Sequence, residues 1–479
     1  MRESFAAPSQ AASSGRTGWA LAVIVLGVLI TAVDTTIVIL ALPTMVKSLH
    51  ASLTGVVWVI MAYLLVITVL ATQVGRLGDM FGRVRMYELG FLIFVIGSFL
   101  CGIATVESEL IGFRILQGIG GALVTANSGA VIADTFSPDH RGRAYGFTSI
   151  GWNVGAILGI LLGGFITTYW SWREIFLINV PIGLAAMVIA VFVLRDRGER
   201  VRQPLDWWGM LFLSGGLLLI LLALVHLAAH ALTTRLAGEL LLGLVFLGVF
   251  IMVERRQSSP MLHLELFRVR MVSASFVAAF FQAVGNFSVL FLIMMYLQGV
   301  RQLTPMAAAL LMVPGYLAGG LLGPVTGRLA DRFGPAGPAS AGLMIQAVAL
   351  FLYAHLGISS PLWRVTAISI VNGIGNAGFF PANNAAVMKG APRGAYGIAS
   401  GMLRTFANVG MVLSFATAMV VAATEIPRRL AFAIFVGTGG LSPLLRTSFT
   451  QGMHAAFYLA IGLMMVAGIF SLLRGPQSA

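Results

Sequence analysis

Fourteen apolar blocks, each close to the thickness of a lipid bilayer, run through this chain with only short polar breaks between them. They lie near residues 18–43, 54–75, 86–105, 109–133, 144–168, 173–194, 207–229, 236–253, 272–297, 305–326, 338–358, 362–386, 399–423 and 453–473. A helix needs about 20 mostly apolar residues to cross the hydrocarbon core, and in lipid its backbone groups must be bonded within the segment. The chain is therefore predicted to be an all-α polytopic membrane protein. Composition agrees, with 58% of the 479 residues hydrophobic and 10% charged, against about 25% charged in a soluble domain. The long apolar runs lack the period-two alternation of an outer-membrane barrel. The block after the polar tail 1–17 has no small-residue cleavage site, so it is expected to be a retained helix and not a signal peptide.

The net charge of +13 is spread singly or in pairs between the blocks, unlike a nucleic-acid footprint. Alternate loops and the two tails hold 20 of the Lys and Arg residues, whereas the opposite loops hold 8. By the positive-inside rule the first set, with both termini, faces the cytoplasm, as expected of a multi-pass protein of a prokaryotic inner membrane. Cys101 is the single cysteine, so no intrachain disulfide can form.

The sequence repeats itself. Gly75-Arg-Leu-Gly-Asp79-Met-Phe-Gly82 returns as Gly327-Arg-Leu-Ala-Asp331-Arg-Phe-Gly334, 252 residues later. Gly118-Ile-Gly120 matches Gly373-Ile-Gly375, and Arg141-Gly-Arg-Ala-Tyr-Gly146 matches Arg393-Gly-Ala-Tyr-Gly397. Each copy of the first motif follows the second helix of its half, so the halves are parallel repeats. Six helices do not fill the offset, and two additional ones do. The expected plan is a tail (1–17), a first lobe (18–194), a linker (195–206), two inserted helices (207–253), a linker (254–271), a second lobe (272–473) and a tail (474–479). Within the second lobe, 424–452 reads as an external hairpin or interfacial segment, since Pro427, Gly439, Gly440 and Pro443 break it and the run Leu430 to Gly437 is too short to span.

Ionisable groups within the apolar blocks are costly and usually functional. Asp34 lies mid-way along the first helix, where desolvation favours taking and releasing a proton near neutrality. It suits a proton carrier or a counter-charge for a cationic substrate; a packing hydrogen bond to Thr31, Thr35 or Thr36 is the alternative. Arg114, early in the fourth helix, stays charged and needs acceptors, so it is either functional or half of a structural ion pair. In the short loop Gly75–Gly82 the glycines permit a turn, Asp79 can cap the next helix, and Arg83 can pair with Asp134 on the same membrane face. Gly155, Gly159, Gly163 and Gly164 mostly recur at spacing four along the fifth helix, which serves close packing or a hinge. Candidate substrate-lining groups are Asp34, Trp58, Tyr63, Asn127, Asn286, Tyr296, Gln298, Phe380 and Asn383. Gln282, Asn372 and Asn376 are further polar groups within the blocks, and the histidines show no pairing at metal spacing. No phosphate-binding loop and no catalytic constellation is present, so neither a nucleotide-driven pump nor an enzyme is expected.

Together these motifs resemble the major facilitator superfamily, and within it the fourteen-helix drug:proton antiporters. The resemblance rests on both signature loops, on Leu110-Ile-Gly-Phe-Arg114-Ile-Leu-Gln117-Gly118, on Asp34-Thr-Thr-Ile-Val-Ile-Leu-Ala-Leu-Pro43, on Trp58-Val-Ile-Met-Ala-Tyr63, and on Trp172 to Pro181. The family pattern is broken at Ile39, where Asn is usual, and at Gly159-Ile160, where Gly-Pro is usual. The resemblance implies two six-helix lobes plus two inserted helices, working by alternating access as a monomer. It implies protons and a lipophilic small molecule as partners, membrane lipid around them, no metal and no cofactor, and the proton gradient as energy source. Asp34 and Arg114 would couple the proton. The set Gly75, Asp79, Gly82, Arg83, Asp134, Gly327, Asp331, Gly334 and the fifth-helix glycines would gate, with Asp79 bonded to the second lobe and Arg83 to Asp134. A lipid or glycolipid exporter of the same fold, and more remotely a non-transporting receptor, are the rival expectations.

Overall fold

A computed structural model describes residues 10–51, 53–136, 138–196, 205–229, 234–257, 260, 264–391, 396–424 and 443–474. A helix forms at each of the fourteen positions. In the first lobe these are α1 (Gln10–Leu49), α2 (Leu53–Phe81), α3 (Arg83–Ile103), α4 (Glu107–Thr135), α5 (Pro138–Tyr169) and α6 (Glu174–Val193), the last interrupted before Asn179. The inserted pair is α7 (Trp207–Ala229) and α8 (Thr234–Arg256). The second lobe holds α9 (Arg270–Met295, prolonged by a π turn Tyr296–Val300), α10 (Pro305–Phe333), α11 (Ala336–Tyr353), α12 (Leu362–Gly390), α13 (Tyr396–Thr424) and α14 (Pro443–Leu472). Among the described residues, twelve are long and apolar enough to cross a membrane, or thirteen if the bent α2 counts as one span. No strand occurs among them. The expected hairpin 424–452 needs correction, because residues 443–452 are the first turns of α14. Proline is favourable at the first position of a helix, since its missing N–H would be unbonded there anyway. The rest of that segment, 425–442, lies outside the described residues.

Glycine sets the helix spacing. Cβ atoms placed on Gly151, Gly155, Gly159 and Gly163 of α5 would lie 3.1, 2.6, 2.7 and 3.0 Å from the carbonyl oxygens of Val25, Leu29, Val33 and Ile37. One face of α5 is thus laid against α1 in a four-residue ladder, which brings the two backbones into direct contact. The internal repeat holds in space as well. A Cβ on Gly120 would lie 2.8 Å from the Gly90 carbonyl, and one on Gly375 would lie 2.8 Å from that of Gly342. The loops expected at Gly75–Gly82 and Gly327–Gly334 need correction: residues 75–81 and 327–333 are the last turns of α2 and α10, and the turns fall on Gly82 and Gly334, whose φ of 110° and 86° side chains disfavour.

The lobes meet along two seams, α5 against α10 and α2 against α13, and α7 packs on both α2 and α13. At the arginine-poor end the first seam is shut: Thr168 Oγ1 accepts from the Met306 amide at 3.1 Å, and Gly164 faces Ala309. Gly164 is one residue out of the ladder register, and it therefore turns from α1 to the second lobe.

Candidate functional site

The helix ladder places Asp34 inside the first lobe, where α1, α3, α4 and α6 converge. Its side chain is fully buried. Arg114 donates from Nη1 to Asp34 Oδ2 at 2.6 Å and to Gln117 Oε1 at 2.7 Å, and from Nε to the Val59 carbonyl at 3.0 Å. Gln117 Nε2 donates to Asp34 Oδ1 at 2.8 Å and to Ser98 Oγ at 3.0 Å. Asn179, at the break in α6, donates to the same two oxygens at 3.4 and 3.3 Å. The guanidinium carbon lies 4.0 Å from the centre of the Tyr63 ring, a cation–π contact. Two charges leave water here, which is tolerated only when nearly every donor and acceptor is matched.

The structure thus selects among the sequence alternatives. Thr31, Thr35 and Thr36 donate to carbonyls of their own helix, and Thr36 also to Ala156, so Asp34 is not held by a threonine packing bond. Arg114 is half of an ion pair, and that pair sits at the expected proton-coupling residues. Gln117, Ser98 and Asn179 complete the cluster and were not singled out as site residues from the sequence. Gln117 was within reach, three residues after Arg114 on the same helix face. Ser98 and Asn179 are neutral groups without a distinguishing pattern.

A second polar cluster lies at the arginine-rich end. Arg83 binds Asp79 Oδ1 at 2.7 Å and Asp134 Oδ1 at 2.6 Å. The Arg83–Asp134 pair is the expected one. The partner described for Asp79 is Arg83, not a residue of the second lobe. Nor does Asp79 cap α3: the Val84 amide donates instead to Asp196 Oδ1 at 2.8 Å, across from the end of α6. Asp196, in the sequence Leu194-Arg-Asp-Arg, sits between arginines that mark it as ordinary loop charge. Burial pushes the Asp134 carboxyl above the usual carboxylate range, against the pull of Arg83. The side chain of Asp331 lies outside those described.

The substrate-lining candidates do not gather in one pocket. Tyr63 and Asp34 are sealed within the first lobe, and Asn127 donates to the Leu123 carbonyl of its own helix beside Gly78. Tyr296 donates to the Gly357 carbonyl at 2.7 Å. Asn383, at the opposite end of the second lobe, accepts from Arg474 and donates to the Ser275 carbonyl. Trp58, Asn286 and Phe380 are half-buried, and Gln298 is buried.

The second lobe has no counterpart of the ion pair. The shift of 255 residues that relates Gly118 to Gly373 carries Arg114 to Ser369 and Gln117 to Asn372. Tyr63, whose carbonyl faces Gly118, corresponds to Gly315, whose carbonyl faces Gly373. From residue 272 onward the only acids are Asp331 and Glu425. Neutral amides take the interior instead: Gln282 Nε2 lies 3.1 Å from Gln346 Oε1 and 3.5 Å from Asn376 Oδ1.

Comparison with known proteins completes the site. The family profile described as Major Facilitator Superfamily matches residues 24–415. The tetracenomycin C resistance and export protein of Streptomyces glaucescens is 29% identical over 494 residues, covering 96% of this chain and 91% of the relative. The riboflavin transporter RibZ of Clostridioides difficile is 30% identical over 400 residues, covering 83% and 86%. Among solved structures, a bacterial homologue of the human lysosomal transporter Spinster, inward-facing and unoccupied, superposes with a TM-score of 0.67 at 17% identity, covering 98% of each chain.

Proposed function

Because the chain belongs to the major facilitator superfamily, we propose that it is a proton-coupled antiporter that exports lipophilic small molecules, cations among them, from a bacterial cell. The observation that carries this reading is the fully buried Asp34–Arg114 pair, present in one lobe only. With Asp34 ionised the pair sums to zero charge. A proton on Asp34 leaves the Arg114 guanidinium uncompensated and the lobe one charge more positive. A bound cation is then repelled, and one whose binding keeps Asp34 ionised expels the proton. Mutual exclusion of proton and cation gives exchange from electrostatics alone. A neutral compound is coupled only through the shift of α1 and α4 when their link is broken.

The charge bias between loops favours an arginine-rich cytoplasmic face with both termini on it. Sequence similarity to a resistance and export protein supports outward transport of a foreign compound. The Arg83–Asp79–Asp134 cluster serves in this scheme as the clamp that re-forms on one face during each cycle. No contact in the scheme requires a second copy, so the monomer is the working unit.

Similarity to a riboflavin transporter favours a second reading, movement of a planar metabolite by the same machinery. Inside-out vesicles with an acid lumen and a pH dye separate the readings. Lipophilic cations, neutral drugs, riboflavin and lipid-like compounds are added in turn to native protein and Asp34→Asn. Proton efflux triggered by drugs and lost in Asp34→Asn supports export by exchange. A response to riboflavin or lipid alone moves the substrate class. A drug response that survives Asp34→Asn removes the pair from the coupling path.

A further inference from the structure

The two seams between the lobes are not equivalent, and their difference assigns a route. On the α5–α10 seam three positions of α10 share one face and measure the gap. Ala309 sits where a Cβ on Gly164 would touch it, at 2.8 Å. A Cβ on Gly320 would lie 3.9 Å from Asn153 Cβ. Two turns further on, a Cβ on Gly327 would find, among the described residues, only Pro381 of its own lobe within 4 Å, and one on Gly323 would find none of them. Among the described residues this seam parts toward the arginine-rich end, where exposed Leu317, Leu321 and Val325 of α10 suit contact with lipid.

The other seam is filled. Val69 of α2, Leu213 and Leu217 of α7 and Phe250 of α8 form a buried apolar cluster, with Val409 of α13 packed against it. Closer to the arginine-rich end the same hairpin is fastened to α2: the Asp206 amide donates to Gln73 Oε1 at 3.3 Å, and Arg76 donates to the Pro260 carbonyl at 2.6 Å. Side chains of the inserted helices therefore stand where the α2–α13 seam would otherwise meet lipid.

We infer that in this state lipophilic substrate passes from the arginine-rich leaflet between the lobes by the α5–α10 seam, and that the α7–α8 hairpin bars the α2–α13 seam. The occupant is a membrane-partitioned, largely apolar compound, since a water-borne solute has no need of a lateral route. The inference rests on the exporter reading for its substrate, but the asymmetry of the seams is testable without one.

Gly323→Cys and Val409→Cys are each labelled with bimane in vesicles of tail-brominated phosphatidylcholine, Cys101 being buried and the unsubstituted protein serving as the labelling blank. Brominated tails are expected to quench the label at 323 severalfold more than the label at 409. Equal quenching at both positions, or a label at 323 reached by aqueous iodide and not by brominated tails, overturns the inference. A transport arm uses tetraphenylphosphonium in inside-out vesicles. Gly323→Phe should slow its uptake severalfold, while Gly248→Phe, which also enters open space but on the outer helix α8, should leave it unchanged. Equal uptake by both variants overturns the route. If the native protein moves no tetraphenylphosphonium, the exporter reading fails for that cation, and the quenching result still decides the asymmetry.

Discussion

At the scale of residues, the buried pair governs both stability and coupling. Arg114→Ala leaves Asp34 desolvated without a counter-charge, and losing one partner of a buried pair costs about 3–5 kcal/mol. A strongly lowered Tm of the detergent-solubilised protein is expected. Asp34→Asn combined with Arg114→Gln removes both charges together, so Tm should largely recover while proton-driven transport stays absent. Asp134 carries the pH dependence at the clamp. Its carboxyl is held above the ordinary range by burial, so the native state binds its proton more readily than the unfolded chain does. Its contribution to stability is then full below the unfolded value, near about 3.9, and declines as pH rises through the native value. The Tm difference between native protein and Asp134→Asn should therefore move against the native protein across that window, and a flat difference would contradict the assignment. Asp34 and Arg114 were legible separately, because a charge in an apolar block stands out. Their pairing was not, since neither the facing nor the relative depth of α1 and α4 is written in either segment. Ser98 and Asn179 escaped because a neutral polar group inside a lobe resembles ordinary helix glue.

At the scale of elements, the ladder between α5 and α1 is the least forgiving contact. Gly155→Leu drives a side chain into the Leu29 carbonyl and Ala32, and overpacking of this kind costs about 1–3 kcal/mol. A thermal melt should register that loss for Gly155→Leu and little change for Gly462→Ala, which faces open space. Spacing four revealed the face but not its partner. Gly164 belongs to a different contact, and only the register slip of one residue hints at it. The start of α14 was misread because Pro443 and the glycines before it look like a turn, although proline opens helices as readily as it ends them.

At the scale of the whole molecule, the parallel repeat was legible from three ordered motif matches, and the glycine contacts reproduce it in space. The place of the inserted helices was not, because their apolar surfaces fit lipid and protein equally well by composition. Rocking of the lobes has a direct mechanical check. Cysteines at Asn153 and Gly320 would have Cβ atoms 3.9 Å apart, within the range of a disulfide. Oxidation should lock the seam and stop transport reversibly, and unhindered turnover of the cross-linked protein would contradict alternating access. The most direct measurement of the exchange itself is proton release from purified, unbuffered native protein when a transported cation is added. Release by the native protein and none by Asp34→Asn is the expected result. Equal release from both would show that the proton leaves another group, and that the Asp34–Arg114 pair is a structural device alone.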